Sequence, residues 1–266
     1  MAWASENVYK YEDTEKKDGI WYEKGTNIKL NGILKKYYDS GALLVEGNFT
    51  DGQANGIYKE YYESGALQFE GNYKDHKLNG IIKRYSESGK LEVERNYKDG
   101  YQDGIEKEYY ESEALKAERN YKDGYQDGIS KEYYESGALQ FEYNCKDNEL
   151  NGISSEYYES GVLKSEQNYK DDKRNGIYSE YYKSGVLKGE FNFKDGTRNG
   201  IDKVYYESGV LRYKVTTKDD EAISGIRYKK NGKKDGTMTK KDFIGISIFE
   251  VGSYSNYRPY INWESE

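Results

Sequence analysis

The chain has one cysteine (Cys145), one histidine (His76) and one proline among 266 residues. A lone cysteine excludes an internal disulfide framework and a thiolate metal cluster. A lone histidine leaves almost no material for His-pair metal sites or a Ser-His-Asp triad. Apolar residues are also scarce, at 35 %. No stretch reaches the ~18 apolar residues of a membrane-spanning helix. Met1 to Lys10 has no apolar run of the signal-peptide kind, so a soluble, cytoplasmic protein is expected. The net charge of -7 disfavours general binding to nucleic acid or to an anionic membrane.

Tyrosine is abundant, with 32 residues. Without it, only about 23 % of the chain is apolar. Burial must therefore come largely from tyrosine rings, whose bodies are apolar and whose tips are polar.

Gly-Ile recurs from Gly32-Ile33 to Gly200-Ile201 in unbroken steps of 24. A second glycine column runs through Gly41, Gly65, Gly89, Gly137, Gly161, Gly185 and Gly209, interrupted only by Glu113. Tyrosine pairs such as Tyr61-Tyr62 and Tyr133-Tyr134 recur at the same period, and the third repeat has Tyr85-Ser86 instead. Eight units cover residues 32–223. Such periodicity is the signature of a repeat architecture.

Each unit reads as a β-hairpin. In the second repeat, Gly56 to Tyr62 forms one strand, Glu63-Ser64-Gly65 the tight loop and Ala66 to Tyr73 the return strand. A three-residue loop of this kind ends in a left-handed residue, which glycine adopts without a Cβ clash. A longer turn, Lys74 to Asn79, follows. Its key column, which includes Gly52, His76, Asn148 and Asp172, holds residue types that tolerate the left-handed region. His76 is thereby read as a turn residue, and Glu113 as a strained one.

With a three-residue loop, Arg84 faces Glu92, Glu108 faces Lys116, Glu156 faces Lys164 and Glu180 faces Lys188. Opposite charges across a strand pair are favourable. Across the longer turn, one register sets Glu46 against Glu60, and a slip of two residues relieves that repulsion. The sequence leaves both open.

Side chains alternate across a sheet. The even period puts Ile129, Lys131, Tyr133, Leu139, Phe141, Tyr143 and Cys145 on one apolar face. It puts Glu132, Tyr134 and Glu142 on an acidic, tyrosine-rich face. No helical periodicity supplies a covering layer. The expected fold is all-β: an elongated single-layer antiparallel sheet of tandem 24-residue hairpins with divergent end caps. Residues 1–31 form an N-terminal cap with a degenerate unit at 18–25, and residues 32–223 the eight repeats. Residues 224–266 form a partial ninth repeat and a C-terminal cap. The tryptophans, Trp3, Trp21 and Trp263, lie outside the repeats. The apolar segment Phe243 to Phe249 is an end cap or an edge for pairing with a partner.

The unit Gly-Ile-x-Lys-Glu-Tyr-Tyr-Glu-Ser-Gly-x-Leu-x-x-Glu-x-Asn-Tyr-Lys-Asp-Gly-x-x-Asn-Gly resembles the MORN repeat, in the variant found in bacterial YwqK-family antitoxins. The resemblance covers about residues 18–228. It implies a hairpin array that serves as a scaffold or protein-binding surface, and little chemistry. Other MORN proteins are linked to phosphoinositide membranes, but this chain is acidic and lacks a basic cluster.

Catalysis by paired carboxylates such as Glu132 and Glu142 is disfavoured, because the pair recurs on an open sheet without a pocket. The lysine column Lys35, Lys59, Lys83, Lys107, Lys131 and Lys203 is read as stems covering rings. Ser155 and Ser179 interrupt any phosphate track along it. The candidate partner-binding residues are Glu108, Tyr110, Glu118, Glu132, Tyr134, Glu142, Glu156, Tyr158, Glu166, Glu180 and Tyr182. Tyrosine suits interfaces, and a glutamate ladder opposes a basic surface. The expectation is a non-enzymatic, antitoxin-like scaffold without cofactor or metal. It binds a protein with a basic surface, such as a nucleic-acid-processing enzyme. The alternative is a structural or membrane-associated MORN scaffold that assembles through its ends.

Overall fold

A computed structural model describes residues 7–243. Trp3, Trp263 and residues 244–249 of the C-terminal apolar segment lie outside the described residues. The chain divides into two compact units, Met1–Tyr125 and Gln126–Glu266. Each is built of antiparallel hairpins in chain order.

In the first unit the hairpin strands are Gly32–Tyr37, Leu43–Thr50, Gln53–Tyr61, Leu67–Lys74, Gly80–Tyr85, Leu91–Lys98, Gly104–Tyr109 and Leu115–Lys122. Val8–Lys10 adds in parallel to Gly32–Tyr37. Thr14–Lys17 and Ile20–Glu23 make a separate hairpin. Trp21 from that hairpin packs on a cluster of Leu30, Leu34, Phe49 and Ala54. Its backbone N–H donates to the Gly52 carbonyl. The degenerate N-terminal unit thus covers the apolar end of the first repeat.

The second unit continues the pattern from Gly128–Tyr133 to Leu211–Lys218. It ends in a ninth hairpin, Glu221–Tyr228 with Lys234–Met238. Phe243 closes a short 3-10 turn and is buried with Met238 and Ala222.

Two turn chemistries recur. At the tight loop, Tyr62 N–H donates to the Ala66 carbonyl and Gly65 N–H to the Tyr62 carbonyl. Glu113 has the same hydrogen bond and a φ of 68°, so it occupies the left-handed position its column implies. The turn between hairpins is tighter than the longer loop expected. It has two residues, both left-handed: Asp51 (φ 51°) with Gly52 (φ 75°), and Asp75 (φ 49°) with His76 (φ 64°). This is the hairpin turn whose twist matches that of the flanking strands.

The tight loop also carries a β-bulge, and this corrects the expected register. Glu108 pairs with Ala117 and Tyr109 with Leu115, leaving Lys116 as the extra residue. Three of the four expected ion pairs still form, Glu108–Lys116 (3.8 Å), Glu156–Lys164 (2.6 Å) and Glu180–Lys188, whereas Arg84 pairs with Val93 across the strands and not with Glu92. The bulged lysine sits diagonally beside its glutamate instead of directly across. A second irregularity follows each two-residue turn: Phe49 pairs with Ala54, but Gly47 pairs with Tyr58. Gly56 takes up that slack at φ 109°. Asparagine side chains seal the freed carbonyls, as where Asn72 Nδ2 donates to the Asn79 carbonyl at 3.1 Å.

Candidate partner-binding face

Directly paired residues share a face of the sheet. The bulge inserts one residue into every return strand, so residue parity changes sign across every tight loop. Phe141, Tyr143 and Cys145 therefore lie with Ser130 and Glu132, not with Ile129 and Lys131. This face is the core side: Tyr143 and Cys145 are almost fully buried. The opposite, outer face carries the isoleucine column. Ile57, Ile81, Ile129, Ile153 and Ile177 are each about half exposed, where a buried apolar face was expected.

The candidate residues are accordingly split. Glu118, Glu142 and Glu166 lie on the outer face, opposite Lys107, Lys131 and Ser155. Glu108, Glu132, Glu156 and Glu180 lie on the core side, opposite Ala117, Phe141, Ser165 and Gly189. The core-side group is engaged. Arg119 Nη1 lies 3.0 Å from Glu108 Oε1. The Tyr143 hydroxyl donates to Glu132 at 3.3 Å. Lys164 donates to Glu156 at 2.6 Å. Burial works against the charge of Lys164, but Glu156 overcomes it and leaves the ammonium pKa raised.

The tyrosines have a structural task. The Tyr134, Tyr158 and Tyr182 hydroxyls donate to the Tyr157, Tyr181 and Tyr205 carbonyls at 2.8–2.9 Å. Tyr38 and Tyr62 do the same to Tyr61 and Tyr85. Each phenol stitches its hairpin to the next one, and Tyr110 occupies the same column. Burial raises the Tyr134 pKa.

The outer face is organised differently. In the first unit one row alternates strictly: Lys35 faces Glu46, Glu46 faces Lys59, Lys59 faces Glu70 and Glu70 faces Lys83. Lys35–Glu46 closes to 3.4 Å and Lys83–Glu94 to 3.7 Å. The register therefore avoids the repulsion between Glu46 and Glu60. The Tyr61 hydroxyl donates to Glu46 at 3.0 Å. Burial, then Glu46, pushes this phenol up to about 12.

In the second unit two lysines of the row are missing. Ser155 stands between Glu142 and Glu166, and Ser179 between Glu166 and Glu190. Glu142 keeps Lys131 at 3.4 Å and Glu190 keeps Lys203 at 2.9 Å. Glu166 is exposed, with no ion-pair partner among the described residues. The row from Lys131 to Glu190 thus holds three carboxylates and one ammonium, bordered by exposed Ile153 and Ile177.

The MORN repeat variant model matches residues 30–51, 54–75, 78–99, 102–123, 126–147, 150–171, 174–195 and 198–219. The chain belongs to the MORN repeat variant family. Each family match spans the tight loop of one MORN hairpin and stops at the two-residue turn. No curated protein matches the chain. Among solved structures, a crystal structure of TcdB2-TccC3-TEV is 15 % identical with a TM-score of 0.19, covering 75 % of this chain and 14 % of its own. A TcdB2-TccC3-Cdc42 structure is 13 % identical with a TM-score of 0.20, covering 80 % of this chain and 15 % of its own. This chain thus spans about a seventh of the length of those chains. No helix among the described residues is long and apolar enough to cross a membrane.

Some MORN units also carry chemistry inside the core side that the candidate list omits. Glu106, 3 % exposed, accepts from Arg95 Nε, from Gln102 Nε2 at 3.0 Å and from Arg119 Nη1 at 3.0 Å. The signal was visible as a break in the columns. Position 106 is Tyr58, Ile82 and Tyr178 elsewhere, and position 119 is Gly71, Tyr143 and Phe191. Cys145 is buried among apolar groups, and burial pushes its thiol up to about 12.

Proposed function

We propose that this MORN repeat chain is a non-enzymatic protein-binding scaffold of the antitoxin or inhibitor type. It neutralises another protein through contact with a basic surface, and a nucleic-acid-processing enzyme is the expected class. Membership of a repeat family supports the scaffold role. The observation that carries the reading is the outer face of the second unit. There Ser155 and Ser179 leave Glu142, Glu166 and Glu190 with a single lysine among them, Lys131, before Lys203. Half-exposed Ile153 and Ile177 border the row. Recurring exposed apolar groups beside a charged row mark interaction surfaces. Carboxylates add steering toward positive charge.

The test is capture from the source cell with Glu142→Gln/Glu166→Gln/Glu190→Gln beside the wild type. The expected outcome is a basic protein retained by the wild type and lost from the triple variant. Loss should be greatest at low salt, since steering is screened over about 8 Å at physiological ionic strength. Equal retention by both proteins at low salt refutes this face as the site.

A further inference from the structure

One repeat departs from the tyrosine stitch. Ser86 stands where Tyr38, Tyr62, Tyr134, Tyr158 and Tyr182 send a hydroxyl to the following hairpin. Ser86 is too short for that reach and bonds locally, to Ser88 Oγ at 2.8 Å and from Lys90 N–H at 3.2 Å. Lys90, whose N–H donates to Ser86, lines a cavity of about 290 Å³. Its walls include Glu108, Tyr109, Tyr110, Glu111 and Lys116. Two periods later, the equivalent residues are Glu156, Tyr157, Tyr158, Glu159 and Lys164. These are the groups around Tyr134: its hydroxyl reaches the Tyr157 carbonyl, and the other four act on its phenol electrostatically. The cavity is therefore the tyrosine socket of the repeat, left without its tyrosine.

We infer that this socket receives a phenolic ring from outside the chain, supplied by a tyrosine side chain of a bound polypeptide. Its volume is near the low end for ligand pockets, which suits one ring rather than a cofactor. Leu91 and Val93 add apolar lining. Lysines and glutamates both border it, which suits a neutral ring with a polar tip. The Tyr109 carbonyl is the acceptor for the incoming hydroxyl, as its counterparts are for theirs. Lys90 is the gate. Its column is alanine at Ala42, Ala66, Ala114 and Ala138, and its Nζ reaches across to the Glu111 carbonyl. Only the source of the ring rests on the protein-binding reading; the socket itself does not.

The probe is p-cresol, the side chain of tyrosine, titrated into the full chain by NMR and by thermal melting, with toluene as the control. Saturable binding on the order of 1 mM is expected for so small a ligand, and weaker binding for toluene. Ser86→Tyr should raise the melting temperature by about 2–4 °C and weaken p-cresol binding tenfold or more. Binding that is absent from the wild type, or equal in Ser86→Tyr, overturns the socket. If Ser86→Tyr does not fold, Lys90→Ala decides: tighter p-cresol binding supports the socket, and unchanged binding overturns it. Blocked tyrosine, N-acetyltyrosine amide, should compete with p-cresol. If it does not, the polypeptide source is wrong. A chain that binds p-cresol but captures no protein refutes the proposed function and leaves the socket standing.

Discussion

The same hairpin encloses two kinds of interior. In the second unit, Tyr178, Phe191, Phe193, Val204, Tyr213 and Val215 form one apolar cluster extending to Met238 and Phe243. It admits a buried pair, Arg198 with Asp202 at 2.9 Å, whose guanidinium lies 4.7 Å from the Phe191 ring centre. In the first unit the equivalent columns hold Arg95, Glu106 and Arg119, held together by Glu106. The turns and the bulges are alike in both. The difference teaches that the hairpin geometry is set by the turn columns, and that the interior has only to be filled and satisfied. Apolar filling gains from burial. Ionic filling roughly breaks even while complete and fails when one member is removed.

The largest effects should separate the two interiors. Phe191→Ala should cost about 3–5 kcal/mol as a cavity in the apolar cluster. Glu106→Ala should cost a similar amount, about 3–5 kcal/mol, for a different reason: Arg95 is left without its carboxylate and Arg119 keeps only Glu108. The interiors part when Glu106 is replaced together with both arginines, Glu108 keeping Lys116 at 3.8 Å. Arg95→Met/Glu106→Leu/Arg119→Met should be neutral or stabilising by about 1–4 kcal/mol, which no polar replacement at Phe191 can match. Urea midpoints for the variants decide. A triple variant as unstable as Glu106→Ala would mean that the ionic set does more than fill space.

A smaller effect should appear at high pH. Burial, then Glu180, pushes the Tyr178 phenol up to about 12. The folded chain then holds a proton that an unfolded tyrosine has released. This stability is complete below about pH 10 and is lost as pH rises through about 12. The loss attributable to Tyr178 should reach about 2 kcal/mol by pH 12. Tyr178→Phe should reduce the alkaline loss by that amount. An identical pH dependence in the variant contradicts the assignment.

The smallest concerns the loops. In the second unit Gly137, Gly161, Gly185 and Gly209 hold the left-handed position at φ 80–84°. In the first unit Glu113 holds it at φ 68°. Glu113→Gly should stabilise by about 1 kcal/mol, read as a raised melting temperature. An unchanged or lowered value would show that the Glu113 side chain contributes something that offsets its strain.

Much of this was legible because turns are local. The Gly41 and Gly52 columns report left-handed backbone one residue at a time, and Glu113 and His76 fall where those columns place them. The ion pairs Glu156–Lys164 and Glu180–Lys188 were legible too, since either register brings them within reach. The faces were not. One bulged residue per hairpin, at Lys116 and its equivalents, reverses the parity of every return strand. Glu132 and Glu142, both even and both acidic, therefore part company, and the exposed stripe is isoleucine where a buried one was expected. The socket lined by Lys90 was half legible: the missing tyrosine showed in the sequence, but not what its ring would have filled.

By itself, the sequence determined the repeat, its period, the hairpin and the residues that turn left-handed. Those depend on φ preferences and on composition within a few neighbouring residues. The tertiary structure alone decided which face each glutamate and tyrosine occupies, and which charges oppose one another. Register is a property of two strands, and a bulge costs little locally while it moves every side chain beyond it to the other side. Glu166 stands exposed between two serines, and Glu106 lies buried between two arginines, for that reason.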